Sequence, residues 1–397
     1  MYRRPRDSWR GRLSCSRRTA QRRAPIRTST SCCIIRRFAN LFSNGKGQGV
    51  SEEAIRGPLR IVAIGGGTGL SSLLHGLKNW AGPEKATVSI TAIVTVTDDG
   101  GSSGRLRRDF LVLPPGDIRS CIVALSEDEA LLSRMFQYRF KEGRGLKGHS
   151  FGNLFLTALT DITGDFATAV RLASEILASR GDIIPSTAEN VVLEAQLSDG
   201  RRVKGESKIG KSRAPIESIH ILPRAPQPFR ESIEAIRQAD LITLGPGSLF
   251  TSVIPNLLVR SVPKEIMKAT GVRAYITNLM GQPGETVNFS AADHVTALLN
   301  HCAIAPKHAH KLLDCVVVNN APLNTAALRR YAAKLALPVK IDLDRLQEMG
   351  LRVVQAELAE RAPKIRHSPE RTAELLIKLA RLGRRRRQLL NRGGVQN

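Results

Sequence analysis

Aromatic residues make up only 4% of this 397-residue chain, too few for a surface that holds single-stranded nucleic acid by base stacking. Its six cysteines, Cys15, Cys32, Cys33, Cys121, Cys302 and Cys315, contain no C-x-x-C pair. Neither a zinc site nor a disulfide framework is indicated. Cys121 and Cys315 sit in apolar runs and read as small buried hydrophobes. No run approaches the ~20 apolar residues of a membrane span, and the N-terminus lacks the apolar centre of a signal peptide. The expectation is a soluble, cytoplasmic protein without a membrane span.

Charge is abundant but uneven. The formal net charge is +25, yet residues 1–58 hold 14 Lys/Arg against 3 Asp/Glu and residues 361–397 hold 11 against 2, which leaves about +5 for the body. Basic ends attract RNA or anionic membrane weakly and without sequence preference, so no specific nucleic-acid partner is expected. Residues 1–45 are rich in Arg, Ser and Thr and nearly free of acid, as in an organelle transit peptide. A disordered tail and a start codon placed too far upstream are competing readings, and no Met occurs between Met1 and Met135. The expected organisation is a basic extension over 1–58, a folded domain over 59–382 and a basic tail over 383–397. Its Arg384–Arg387 run reads as a solvated or disordered helix end.

Order begins where Leu59–Ile64, a β-branched run, stops at Gly65-Gly66-Gly67-Thr68-Gly69. Leu70, Leu73, Leu74 and Leu77 then recur at helical spacing. A second strand at 88–94 completes a βαβ crossover, which predicts a parallel α/β architecture. Asp199-Gly200 between β-prone runs predicts a hairpin, within a small antiparallel insertion over about 183–223. Ala239–Leu244 again ends at glycine, in Gly245-Pro246-Gly247-Ser248. Further apolar runs at 274–277, 316–319 and 339–341 alternate with helical stretches near 291–300 and 325–336.

Glycine turns at strand ends present unhindered amides at helix N-termini, which suits phosphate. Alone, the 65–69 loop is equally a tight turn, since Leu70 replaces the third glycine of G-x-G-x-x-G and no P-loop Lys follows. It is followed by Thr97-Asp98-Asp99-Gly100-Gly101-Ser102-Ser103-Gly104-Arg105, where adjacent carboxylates suit a ribose diol or a divalent cation, or form an Asx turn. Asp117, after Pro114-Pro115-Gly116, is expected to cap the helix that follows. His149 and Asn153, in Gly-His-Ser-Phe-Gly-Asn, open an apolar helix. His149 is a ligand donor, an acid/base or a structural histidine, with no nucleophile motif beside it. Ser248 and Thr251 add hydroxyls to the second glycine loop, and two such loops suit a diphosphate. Asn278 and Gln282 offer amides for a base or sugar edge.

These blocks, in order, together with Gln282-Pro283-Gly284-Glu285-Thr286, resemble the gluconeogenesis-factor family, itself related to 2-phospho-L-lactate transferase. The resemblance spans about 59–380. It implies a Rossmann-like three-layer core that binds UDP-sugars, UDP-N-acetylglucosamine above all, and serves cell shape and growth on gluconeogenic carbon, with no established reaction. It places the ligand on the 65–69 loop, Asp98, Asp99, His149, Asn153, the 245–251 loop and Arg366. The expected ligand set is therefore Gly65, Gly66, Gly67, Thr68, Gly69, Asp98, Asp99, Ser102, Ser103, Asp117, His149, Asn153, Gly245, Pro246, Gly247, Ser248, Thr251, Asn278, Gln282 and Arg366. No catalytic residue is assigned. Asp98 and Asp99 are candidate Mg²⁺ ligands, and the expected partners are a nucleotide sugar, proteins of cell-wall synthesis and a second copy of the chain. The competing reading is a metal-dependent transferase with a nucleotide diphosphate donor.

Overall fold

A computed structural model of the chain describes residues 57–393, apart from 83–86, 128–129, 213 and 361; expectations for residues 1–56 and 394–397 lie outside them. Among the described residues, seven strands form one parallel sheet in the order β10-β9-β8-β7-β1-β2-β3. The strands are β1 (Leu59–Gly65), β2 (Val88–Val94), β3 (Asp182–Pro185), β7 (Leu241–Leu244), β8 (Val272–Ile276), β9 (Cys315–Asn319) and β10 (Arg352–Ala356). The others, β4 (Val192–Leu197), β5 (Arg202–Lys204) and β6 (Ile216–Leu222), form an antiparallel sheet in the order β5-β4-β6. This is the expected Rossmann-like α/β layout with its small antiparallel sheet.

The parallel strands are nearly continuous apolar runs because helices cover both faces. Every residue of β8 is buried, as is every residue of β7. The helix Gly67–Lys78 buries Leu70, Leu73, Leu74 and Leu77, each at most 2% exposed. Such leucines contribute roughly 1.5–3 kcal/mol apiece, as an upper bound.

Strand order reverses at the β1/β7 boundary: β2 and β3 follow on one side, β7 to β10 on the other. Register aligns the three central strand ends, with Gly65 opposite Val94 and Ile64 opposite Leu244. The turns that follow β1, β2 and β7 therefore leave the sheet at one level, at the switch point where open α/β sheets bind ligands.

Three expectations change. Asp182–Pro185 pairs in parallel with β2 rather than opening the insertion. The 339–341 run is no strand: Pro338 and Lys340 make only isolated bridges, and the outer strand is Arg352–Ala356. The Arg384–Arg387 run is not solvated throughout. It belongs to the helix Pro369–Gly393, which packs against the β1/β7/β8 side, and Arg384 is 5% exposed with its guanidinium 2.6 Å from Asp240. Arg386 pairs with Asp314 at 2.9 Å and Arg387 with Asp240 at 3.3 Å. A buried aspartate supplies the counter-charge that the arginine run by itself hides.

The Asp199-Gly200 hairpin forms as expected, with Gly200 at φ +84°. No helix among the described residues is long and apolar enough to cross a membrane. Cys121 and Cys315 are buried and Cys302 half-buried, all as free thiols; burial raises all three, Cys302 to about 12.

Candidate functional site

The two glycine loops meet. A Cβ on Gly69 would stand 2.5 Å from the Pro246 carbonyl oxygen and 2.8 Å from the Gly247 Cα, so this contact admits no side chain. Gly66 is equally confined, with Thr95 Cγ2 and an Asp117 oxygen 2.6 and 2.7 Å from where its Cβ would be. Gly66 also caps the helix Gly67–Lys78 without a side chain to offer. Of the first-turn amides at the positive end of the helix dipole, that of Gly67 is met by the Asp117 carboxyl, which leaves those of Thr68 and Gly69 without a side-chain cap.

That end opens into a cleft of about 450 Å³. From the first loop it is lined by Gly66, Gly67, Thr68 and Gly69, and from the loop after β7 by Pro246, Gly247 and Ser248. Asn278 and Gln282 arrive from the loop after β8, and the exposed Arg366 from the segment before the last helix. Half of the expected ligand set is thus brought to one cleft. A larger groove, about 780 Å³ along the β3 edge near Asp165 and Asp182, contains none of these loops. The smaller cleft is the stronger candidate because the switch point and uncapped amides coincide there.

The lining is cross-braced. Gln282 donates its side-chain amide to Ser248 Oγ at 2.8 Å and accepts from Asn278 at 3.3 Å. Thr251 turns away, giving its hydroxyl to Glu285 at 3.1 Å, while the Phe250 amide donates to the same carboxylate at 3.3 Å. Leu249–Val253 is a single π-helical turn, a geometry frequent at functional sites. Gly65 and Gly245 lie just below, as the last residue of β1 and the first after β7.

The remaining expected residues form a polar wall on the β2 side. Asp98 accepts the Gly100 amide at 2.8 Å, an Asx turn, and Asp99 accepts the Ser207 amide at 2.7 Å. Asp117 does not cap its own helix, whose N-cap is Pro115 without a side-chain bond. Its carboxyl instead accepts the Gly67 amide of the first glycine loop. Burial and the neighbouring Asp98 lift this carboxyl to about 7. Glu206, carried in by the antiparallel insertion, is lifted to about 9 by burial and by Asp117, Asp98, Glu285 and Asp99. Five carboxylates thus act on one another beside the glycine loops.

His149 and Asn153 stand behind this wall. Ser102 Oγ lies 3.0 Å from His149 Nδ1, and Asn153 donates to Ser103 Oγ at 3.4 Å. The Ser102–His149 pair has the spacing of a nucleophile and its base, but both residues are buried and Ser102 Oγ also accepts the Ser150 amide at 3.4 Å. Burial and the nearby Arg105 depress the imidazole, which ties the helix Gly101–Phe110 to the loop before Phe151. Arg119, coupled to Asp117 and Asp98, has a buried Nε without a partner.

Sequence reasoning missed Ser252, Tyr331, Lys334 and His367 in the cleft, and Glu206 and Glu285 in the wall. His367 directly follows Arg366, and Glu285 lies inside the Gln-Pro-Gly-Glu-Thr block, so both carried a signal. Glu206 carried none, because its place depends on how the insertion folds back.

Comparison with known proteins places the chain in a family and agrees with the fold. The sequence pattern of the family described as 2-phospho-L-lactate transferase CofD matches residues 61–359. The gluconeogenesis factor of Bacillus subtilis is 45% identical over 81% of this chain and 98% of its own length. That of Halalkalibacterium halodurans is 43% identical over 80% and 95%. A crystal structure of a Bacillus halodurans protein superposes with a TM-score of 0.76 at 42% identity, covering 81% of this chain and 99% of that one. With a family pattern across three quarters of its length and relatives this similar end to end, the chain belongs to the CofD family, alongside proteins named gluconeogenesis factor.

Proposed function

We propose that this chain is a gluconeogenesis factor that binds a nucleotide sugar of the UDP-N-acetylglucosamine type and regulates, rather than catalyses, in cell shape and growth on gluconeogenic carbon. The reading places it in the cytoplasm, with protein partners in cell-wall synthesis. The observation that carries it is the abutment of Gly69 and Gly247 at the β1/β7 switch point, inside one cleft. Two amide-lined turns in contact suit two linked phosphates. Arg366 and Lys334 supply cations on the cleft wall. Calorimetry with UDP-N-acetylglucosamine tests it: saturable binding with an unchanged ligand afterwards is expected, and no heat with any UDP-sugar would count against it.

The carboxylate wall favours a second reading, a transferase that moves a phospho-organic acid from a nucleotide diphosphate donor. Burial first, and the neighbouring carboxylates after it, raise Asp117 to about 7 and Glu206 to about 9, and a divalent ion beside them would favour their ionised forms. Among the described residues no three His, Cys, Asp or Glu side chains are grouped to hold a metal by themselves. Mg²⁺ commonly takes one or two carboxylates and completes its shell with ligand phosphates and water. Asp98 and Asp99 would be those carboxylates, and the ion would neutralise a leaving diphosphate. Metal-dependent nucleotide release that Asp99→Asn abolishes is the expected result on this reading.

A further inference from the structure

The sheet end opposite the cleft carries the last turns of the helix Pro369–Gly393. Arg384, Arg386 and Arg387 turn inward there to Asp240 and Asp314, the residues that precede β7 and β9. The other side of the helix faces solvent. Lys378, Arg381, Arg385 and Leu389 are exposed at steps of three, four and four residues, which makes one helical stripe. Among the described residues no ion pair engages Lys378, Arg381 or Arg385. Leu389 and Leu390 are each 53% exposed at the helix end. Lys307 and Lys311, exposed in the turn before β9, stand at the same end of the sheet. So does Gly57, whose carbonyl accepts from Arg384 at 3.3 Å. Residues 1–56, with 14 Lys/Arg against 3 Asp/Glu, join the fold at that point.

We propose that this pole docks on an anionic phospholipid bilayer, with Leu389 and Leu390 entering the headgroup region and Lys378, Arg381 and Arg385 meeting lipid phosphates. Cations and leucines on one exposed helix end select that partner together. A bilayer interface takes both, since the charged heads stay among the phosphates while the apolar side chains leave water. A nucleic acid would neutralise the cations but leave both leucines in water, and the stripe carries no aromatic ring on which a base could stack. A second copy of the chain would set cation against cation. Each cation held near an anionic surface strengthens docking by roughly fivefold, and only within about a Debye length, so the three on the stripe count most when the leucines bring them close. The cleft opens at the other end of the sheet, so a docked molecule still presents its glycine loops to solution. The proposal holds whatever the cleft binds.

Co-sedimentation of the whole chain with vesicles tests it, using phosphatidylcholine alone and an equal mixture with phosphatidylglycerol. Two variants accompany the natural protein: a charge variant with Lys378→Gln, Arg381→Gln and Arg385→Gln, and an apolar variant with Leu389→Ser and Leu390→Ser. All five side chains are exposed, so both variants should melt with the natural protein. The natural protein should partition onto the mixed vesicles about tenfold or more above phosphatidylcholine alone, and less so in high salt. The charge variant should lose about tenfold of that partition and the apolar variant about threefold or more. Binding to polyuridylate, measured alongside, should not change in the apolar variant. A natural protein without preference for the anionic vesicles overturns the proposal. A charge variant that partitions like the natural protein also overturns it, and assigns any binding to residues 1–56. An apolar variant that partitions undiminished, beside a charge variant that loses vesicles and polyuridylate alike, overturns it in favour of a nucleic-acid surface.

Discussion

The Asp117 carboxyl accepts the backbone amide of Gly67, so the acidic wall and the first glycine loop are one hydrogen-bonded unit. A carboxyl raised from 3.8 to about 7 keeps its proton in the folded chain where the unfolded chain has lost it. Between about pH 4 and 7 the folded state binds more protons, and stability falls as pH rises through that window. Glu206, raised from 4.5 to about 9, extends the same trend upward. Asp117→Asn keeps an oxygen for Gly67 but cannot ionise. It should raise the melting temperature at pH 8 by about 2–4 °C and leave it unchanged at pH 5. An equal effect at both pH values would show that Asp117 is ionised throughout.

Gly69→Ala places a methyl 2.5 Å from the Pro246 carbonyl oxygen, backbone that cannot swing aside. Overpacking of this kind costs about 1–3 kcal/mol. Separating the loops should also weaken UDP-sugar binding by about tenfold or more. Denaturant melts and calorimetry on one preparation distinguish the two losses.

Arg384 and Asp240 form a buried pair at 2.6 Å, at 6% and 0% side-chain exposure. Asp240→Ala strands the buried Arg384 guanidinium and should lower stability by about 3–5 kcal/mol, whereas Arg384→Ala leaves Asp240 its 3.3 Å contact with Arg387 and should cost less. Replacing both with leucine should cost less than either alone. Ligand affinity of the folded fraction should not change, because Asp240 precedes β7, at the sheet end opposite the cleft.

Gln282 and Ser248 bridge the loops after β8 and β7 at 2.8 Å. A double-mutant cycle with Gln282→Ala and Ser248→Ala should return a coupling of about 0.5–1.5 kcal/mol in stability. A coupling near zero would mean the loops are held by packing alone.

Arg366 is exposed on the cleft wall. Arg366→Ala should leave the melting temperature unchanged and weaken diphosphate binding by about fivefold at low salt, with a smaller effect in high salt. An effect insensitive to salt would replace the charge contact with a packing one.

Much of the fold was legible in local pattern. Leu70, Leu73, Leu74 and Leu77 announced a helix packed on a sheet, Gly65–Gly69 and Gly245–Ser248 announced strand ends, and Asp199-Gly200 announced a hairpin. Arg352–Ala356 was overlooked as a strand because its polar Arg352 and Gln355 interrupt the apolar run. Asp117 was mistaken for a helix cap because the partner that claims it, Gly67, lies fifty residues away.

Sequence alone determined most of the element types, the parallel architecture and the two glycine loops, through local pattern, but not the outer strand Arg352–Ala356 or the pairing of Asp182–Pro185 with β2. Tertiary structure alone decided that Gly69 touches Gly247, that Glu206 joins four other carboxylates, that His367 ends up lining the cleft and that Arg384 is buried. Those facts depend on which distant segments meet, and long-range packing sets the local dielectric that determines whether a side chain is charged, paired or left to receive a ligand.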